Sequence, residues 1–178
     1  MRIVIPLLAL LLHSCTTLRV GTDYDPAAKF VGYHTFAWMP REHYGSTNPL
    51  VVQRARDAIQ VELTQRGFLA ASDPAKADFI VDFTIGAQDR LDVQSYPEPY
   101  GGPYWANPGW WNTHWGSTLD VRTYREGTLA IDVFDAHSHR PVWHGWAKKD
   151  LTRSDVEHSE RPIRNAVQSV LATFPPAT

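Results

Sequence analysis

Residues 48 to 67 read as a helix that is apolar on one side only, and a one-sided helix must lie against something. Asn48-Pro49 supplies an N-cap followed by proline at the first helical position. Val52, Ala55, Ile59 and Leu63 then recur at spacings of three, four and four, with Gln53, Arg56, Gln60 and Arg66 elsewhere. Gly67 is the expected stop, and Phe68 just beyond it is placed to pack back on the last turn. The next element has the complementary pattern. From Asp78 to Ile85, Phe79, Val81, Phe83 and Ile85 fall on one face of a strand, and Asp78, Asp82 and Thr84 on the other. A half-wet helix beside a half-wet strand is the unit of a helix-on-sheet fold.

The remaining chain fits that unit. Leu18, Val20, Thr22 and Tyr24 alternate with Arg19, Gly21 and Asp23 as a first strand, and Tyr33 to Trp38 forms a second, stopped by Pro40. Leu119 to Thr123 reads as a strand running to a break at Glu126-Gly127. Thr128 to Phe134 turns Leu129, Ile131 and Val133 inward, residues 135–140 make a polar hairpin turn, and Val142 to Asp150 returns as the partner strand. Pro162 opens a last helix with Ile163, Ala166, Val167, Val170, Leu171 and Phe174 on one stripe, ended by Pro175-Pro176. The expected order is β-β-α-β-β-β-β-α. The expected fold class is α+β: an antiparallel or mixed β-sheet with two α-helices packed on one face. With 178 residues, 43% hydrophobic and 20% charged, the chain suits a single globular domain over 15–178. Its net charge of −2 argues against nucleic acid as a partner.

The first fourteen residues belong to a different grammar. Met1-Arg2 precedes an apolar run from Ile3 to Leu12, interrupted only by Pro6 and too short to span a bilayer. The run ends at Leu12-His13-Ser14-Cys15, which resembles a bacterial lipobox. The expectation is a signal peptide over 1–14, with Cys15 acylated as the first mature residue. Cys15 is the only cysteine, so no intramolecular disulfide forms, and once it is acylated the mature domain has no free thiol for catalysis. Acyl chains stabilise membrane attachment by about 0.8 kcal/mol per buried methylene. Thr16 follows the cysteine where an aspartate commonly retains lipoproteins at the inner membrane, so the expected address is the outer membrane, facing the periplasm.

Several segments together resemble a known family. Asp23-Tyr24-Asp25-Pro26 is followed by Phe30, Tyr33 and Thr35-Phe36-Ala37-Trp38; Gly67-Phe68 precedes Ala77-Asp78-Phe79. Tyr124-Arg125-Glu126-Gly127-Thr128-Leu129 runs into Ile131-Asp132, and Val142-Trp143-His144-Gly145 precedes Ala147. This combination, over nearly all of 18–174, resembles the bacterial lipoprotein family DUF4136. The resemblance implies a secreted, lipid-anchored domain and supplies no catalytic residues.

The residues themselves offer little chemistry. G-x-S-x-G, H-E-x-x-H, Walker A and G-x-G-x-x-G are all missing, and no motif calls for a cofactor. His137, His139 and His144 flank one hairpin beside Asp132 and Asp135, but a His-x-His in a polar turn is ordinarily solvated, and no metal is expected. Asp78, Asp82 and Asp132 could form a carboxylate pair for acid–base work, as in a glycosidase, or simply line the wet face of a sheet.

The segment from Tyr96 to Trp115 is of another kind. Four of the seven tryptophans lie between Trp105 and Trp115, interleaved with prolines and glycines, inside a presumptive loop over 92–118. Tyr104, Trp105, Trp110, Trp111 and Trp115 are the candidate binding residues. Three readings are open: a surface for an envelope protein or a glycan, a packed cap on the sheet, or insertion at a membrane interface. The function expected is that of a non-enzymatic envelope module held to the membrane through Cys15. The alternative is an envelope hydrolase or glycan-active enzyme using Asp and His residues near the aromatic loop.

Overall fold

The computed structural model describes residues 18–40, 47–97 and 117–176, with backbone alone over 92–97 and 117–122. Cys15, the segment before it and the five candidate aromatic residues lie outside the described residues. The fold is α+β, as the sequence implies. Six strands form one mixed sheet: β1 (Arg19–Tyr24), β2 (Thr35–Trp38), β3 (Leu69–Ala70), β4 (Phe79–Pro97), β5 (Ser117–Asp135) and β6 (Pro141–Leu151), in the order β1-β6-β5-β4-β2-β3. Helices α1 (Pro49–Gln65), α2 (Arg153–Glu157) and α3 (Glu160–Leu171) complete it. The β4-β5-β6-β1 half is antiparallel, whereas β2 runs parallel to both β3 and β4 because α1 carries the chain back between them.

Helix α1 forms where its sequence places it. The Asn48 side chain accepts a hydrogen bond from the Leu50 N–H at 2.9 Å, with Pro49 beside it in the first turn. At the other end Gly67 takes a φ of 93°, a left-handed conformation that ends the helix and that side chains tolerate poorly. Val52, Ala55, Ile59 and Leu63 are all buried and meet Phe79, Val81 and Phe83 of β4 and Leu129, Ile131 and Val133 of β5. Ile163, Val167, Val170 and Leu171 of α3 join the same cluster, so both long helices cover one face of the sheet. Gly145 lets α3 come this close: a Cβ there would lie 2.6 Å from a Val170 methyl.

Three readings need correction. The break expected at Glu126-Gly127 does not occur; β5 runs straight through it. Gly127 sits under the Leu151 side chain, which a Cβ would meet at 3.0 Å, so this glycine marks a close approach and not a chain stop. The last helix begins at Glu160, with Pro162 in its first turn, and Phe174 is buried just past its end. A third helix, α2, was not foreseen. It carries a reciprocal capping box, Thr152 with Asp155.

Two carboxylates fix the corners. Asp78 Oδ2 accepts from the backbone N–H groups of His34 and Thr35, at 2.9 and 2.8 Å, and from Thr35 Oγ1 at 2.8 Å. Burial alone would raise the Asp78 pKa, but these donors together hold it below its ordinary value. Asp135 Oδ1 accepts from the Ser138 N–H at 2.7 Å, from the Ser138 hydroxyl and from the His137 N–H, while Oδ2 accepts from the Tyr33 hydroxyl at 2.9 Å. Led by the Ser138 N–H, these bonds lower the Asp135 pKa against the effect of burial.

Candidate functional site

The 92–118 segment is only partly a loop. Residues 92–97 belong to β4 and 117–118 to β5, and the two strands stay in register out to Pro97 opposite Ser117. Strand β6 leaves β5 at Leu151 opposite Arg125, and β2 leaves β4 at Val81. From Arg90–Tyr124 to Pro97–Ser117, eight cross-strand pairs therefore form a two-stranded ribbon with both edges unpaired among the described residues. At about 3.4 Å per residue the ribbon extends roughly 25 Å beyond the rest of the sheet. In sequence the aromatic segment falls between Pro97 and Ser117, where the described strands end.

An ion cluster braces the root of this ribbon. Glu126 is 4% exposed, and its Oε2 accepts from Arg19 at 2.7 Å. Its Oε1 lies 3.0 Å from the Arg90 guanidinium, an ionic contact without hydrogen-bond alignment. Arg19 also approaches Asp150 at 3.8 Å. Charges from β1, β4, β5 and β6 thus converge where the ribbon leaves the sheet. Sequence reasoning missed this cluster; the only clue was a glutamate at an apparent strand break.

The face of the sheet opposite the helices carries a polar row: Asp82, Asp132, His144 and Asp23 lie directly across from one another on β4, β5, β6 and β1. His144 Nδ1 and Asp132 Oδ1 are 2.6 Å apart. Asp78 lies just before β4, engaged with Thr35, and does not join this row. His137 and His139 sit on the exposed β5–β6 turn, where the His137 N–H serves the Asp135 turn. Among the described residues no three His, Cys, Asp or Glu side chains are grouped to hold a metal. Fifteen residues separate Asp82 in this row from Pro97, where the described part of β4 ends, about 50 Å along the strand.

Where α1 and α3 diverge, near the ribbon root, a cavity of about 500 Å³ opens between them and the sheet. Its walls include Leu18, Val51, Ile85, Leu129, Leu151 and Ile163. Of the charged groups on it, Lys149 is paired with Asp155 at 2.7 Å. Burial opposes ionisation of Asp155, but Lys149 and the Thr152 donors outweigh it and lower its pKa. A catalytic pocket needs ionisable groups converging on open space; here the carboxylate is spent on a lysine and a helix cap.

These features define a class: a two-layer α+β domain whose central hairpin outgrows its sheet. The chain belongs to the DUF4136 family, a domain of unknown function, whose model matches residues 20–176. No curated protein matches it. Among solved structures, it is similar to a DUF4136 family protein from Bacteroides thetaiotaomicron, with TM-score 0.55 and 16% identity over 89% of this chain and 96% of that one. It also resembles a PDZ domain protein from Parabacteroides distasonis, with TM-score 0.57 and 14% identity over 90% of this chain; the chain spans 37% of that protein's length. A third likeness is to PelC, a dodecamer, from Paraburkholderia phytofirmans, with TM-score 0.52, 13% identity and coverage of 91% and 100%. At these identities the likeness is one of fold.

Proposed function

We propose that this protein is a lipid-anchored cell-envelope module that works by contact and not by catalysis, with the β4–β5 ribbon as its contact element. The observation that carries the reading is the ribbon itself. A two-stranded hairpin is marginal in water on its own, and its open edges invite pairing. A chain that extends one eight pairs past its sheet and ends it in Tyr104, Trp105, Trp110, Trp111 and Trp115 has built an element for meeting something else. The hydrolase alternative draws no support from the described residues, because the Asp82–Asp132–His144 row stands fifteen residues from the end of β4 at Pro97. The dodecamer formed by PelC makes a second copy of this chain one partner to look for.

The anchor and the ribbon are tested separately. Cys15→Ser should abolish metabolic acyl labelling and leave an unprocessed or soluble form. Replacing Trp110 and Trp111 with alanine should weaken envelope association, measured by sedimentation of solubilised membranes, while the melting temperature stays nearly constant. Interface energy usually concentrates in a few such rings. A sharp fall in melting temperature would mean that the rings are packed as core.

A further inference from the structure

Resting on acylation at Cys15, we infer that the ribbon's partner is the membrane surface itself: the ribbon lies along the lipid headgroups beside the anchor. The register decides this. Arg19 at the start of β1 lies in one cross-strand row with Lys148, Thr128 and Gly86. Strand β1 runs from that row toward Tyr24, opposite Trp143, Val133 and Val81. The chain before Arg19 therefore emerges at the end of the sheet from which the ribbon departs. Pro97 stands eleven residues beyond Gly86 on β4, about 35 Å farther out at strand rise.

The tether is much shorter than the ribbon. Cys15 is three residues before Leu18, and three extended residues span at most about 10 Å. The Leu18 side chain packs against the core cluster, and Arg19 is held by Glu126 at 2.7 Å, so the domain cannot pay out more chain from its fixed part. A ribbon whose far end lies about 35 Å beyond the Arg19 row cannot point at a bilayer that is about 10 Å away. Nor can it point away, because the body of the sheet would then stand between Leu18 and the membrane. It must run close to parallel with the surface. Its open edges exclude the remaining option of piercing the hydrocarbon, where unpaired backbone groups are not tolerated. The headgroup layer is the place left, and it hydrogen-bonds freely.

The test uses the acylated full-length protein in protein-free vesicles of phosphatidylethanolamine and phosphatidylglycerol. Acylation uses up the only native cysteine, so a thiol-reactive fluorophore can be placed at Leu91→Cys, Thr123→Cys or Ser138→Cys in turn. Leu91 is 70% exposed and lies on the ribbon; Thr123 is its exposed cross-strand partner. Ser138 is exposed on the β5–β6 turn, at the far end of the sheet. A headgroup-linked nitroxide should quench the labels at 91 and 123 at least threefold more than the label at 138, and a nitroxide deep in the acyl chain should quench all three weakly. Equal, weak headgroup quenching at 91 and 138 overturns the placement. Stronger quenching at 91 by the deep nitroxide overturns it as well. Mass spectrometry of the same preparation separates the two ideas: unmodified Cys15 removes the tether and the placement together, while acylated Cys15 with an unquenched ribbon leaves the anchor standing and removes the placement alone.

Discussion

The two ends of the β4–β5 hairpin obey different physics. Toward the turn at 136–140, the strands carry Phe79, Val81, Phe83, Ile131 and Val133 into a dry layer under α1 and α3. Toward Pro97 and Ser117 the same two strands pair only with each other, and no helix covers them among the described residues. Burial at one end supplies the stability, since each buried large apolar side chain contributes about 1.5–3 kcal/mol. At the other end the described gain is backbone pairing. Under the proposed function, stability and contact would occupy opposite halves of one hairpin.

That division can be broken most forcefully from the packed end. Ile131 and Leu171 have no exposed surface, and truncating either to alanine should cost about 2–5 kcal/mol by denaturant titration. A cost under about 1 kcal/mol for both would mean that the layer is not where stability lies.

Asp78 should come next. Asp78→Ala orphans two backbone N–H groups and the Thr35 hydroxyl at the β2–β4 junction; hydrogen bonds to a charged group contribute about 1.5–3 kcal/mol. The pH dependence has a definite sign. Asp78, Asp135 and Asp155 all have folded pKa values below the ordinary 3.8. Their stabilisation is therefore complete above that value and is lost as pH falls through the lower folded values. Wild-type melts should hold steady down to about pH 5 and decline below pH 4, and Asp78→Ala should flatten that decline. A melting temperature that rises on acidification would contradict the assignment.

On the polar row of the sheet face opposite the helices effects should be small. Asp132→Asn removes the charge facing His144 on a half-exposed group and should cost under about 1 kcal/mol, the range of surface ion pairs.

Legibility followed burial. Helix α1 could be read to the residue because a cap, a proline, a single apolar stripe and a left-handed glycine all agree. The alternation of Phe79, Val81 and Phe83 was equally plain, since one face is dry. Past Ile85 that signal ends: Gly86 to Leu91 is mostly exposed or half-exposed, and a stretch exposed on both faces imposes no period-two pattern. The prolines and glycines beyond it then made the whole of 92–118 read as loop. Edge strand β1 misled in a milder way, with Val20 and Tyr24 alternating correctly yet remaining 40% and 42% exposed. The Glu126 cluster was invisible for a different reason. Its partners, Arg19 and Arg90, lie 107 and 36 positions away in sequence, and only the sheet order β1-β6-β5-β4 brings them together.

The most direct measurement excises the ribbon. Arg90 and Tyr124 are directly opposed, so residues 91–123 can be replaced by Asn-Gly, which closes two antiparallel strands with a tight turn. This keeps Glu126, Arg19 and Arg90 in place. The shortened, acylated protein should melt within about 2 °C of the full chain if the excised segment takes no part in the packed layer. It should also lose its envelope association beyond the lipid anchor itself. A melting temperature lowered by more than about 5 °C, or an association unchanged by the excision, would contradict the separation of stability from function.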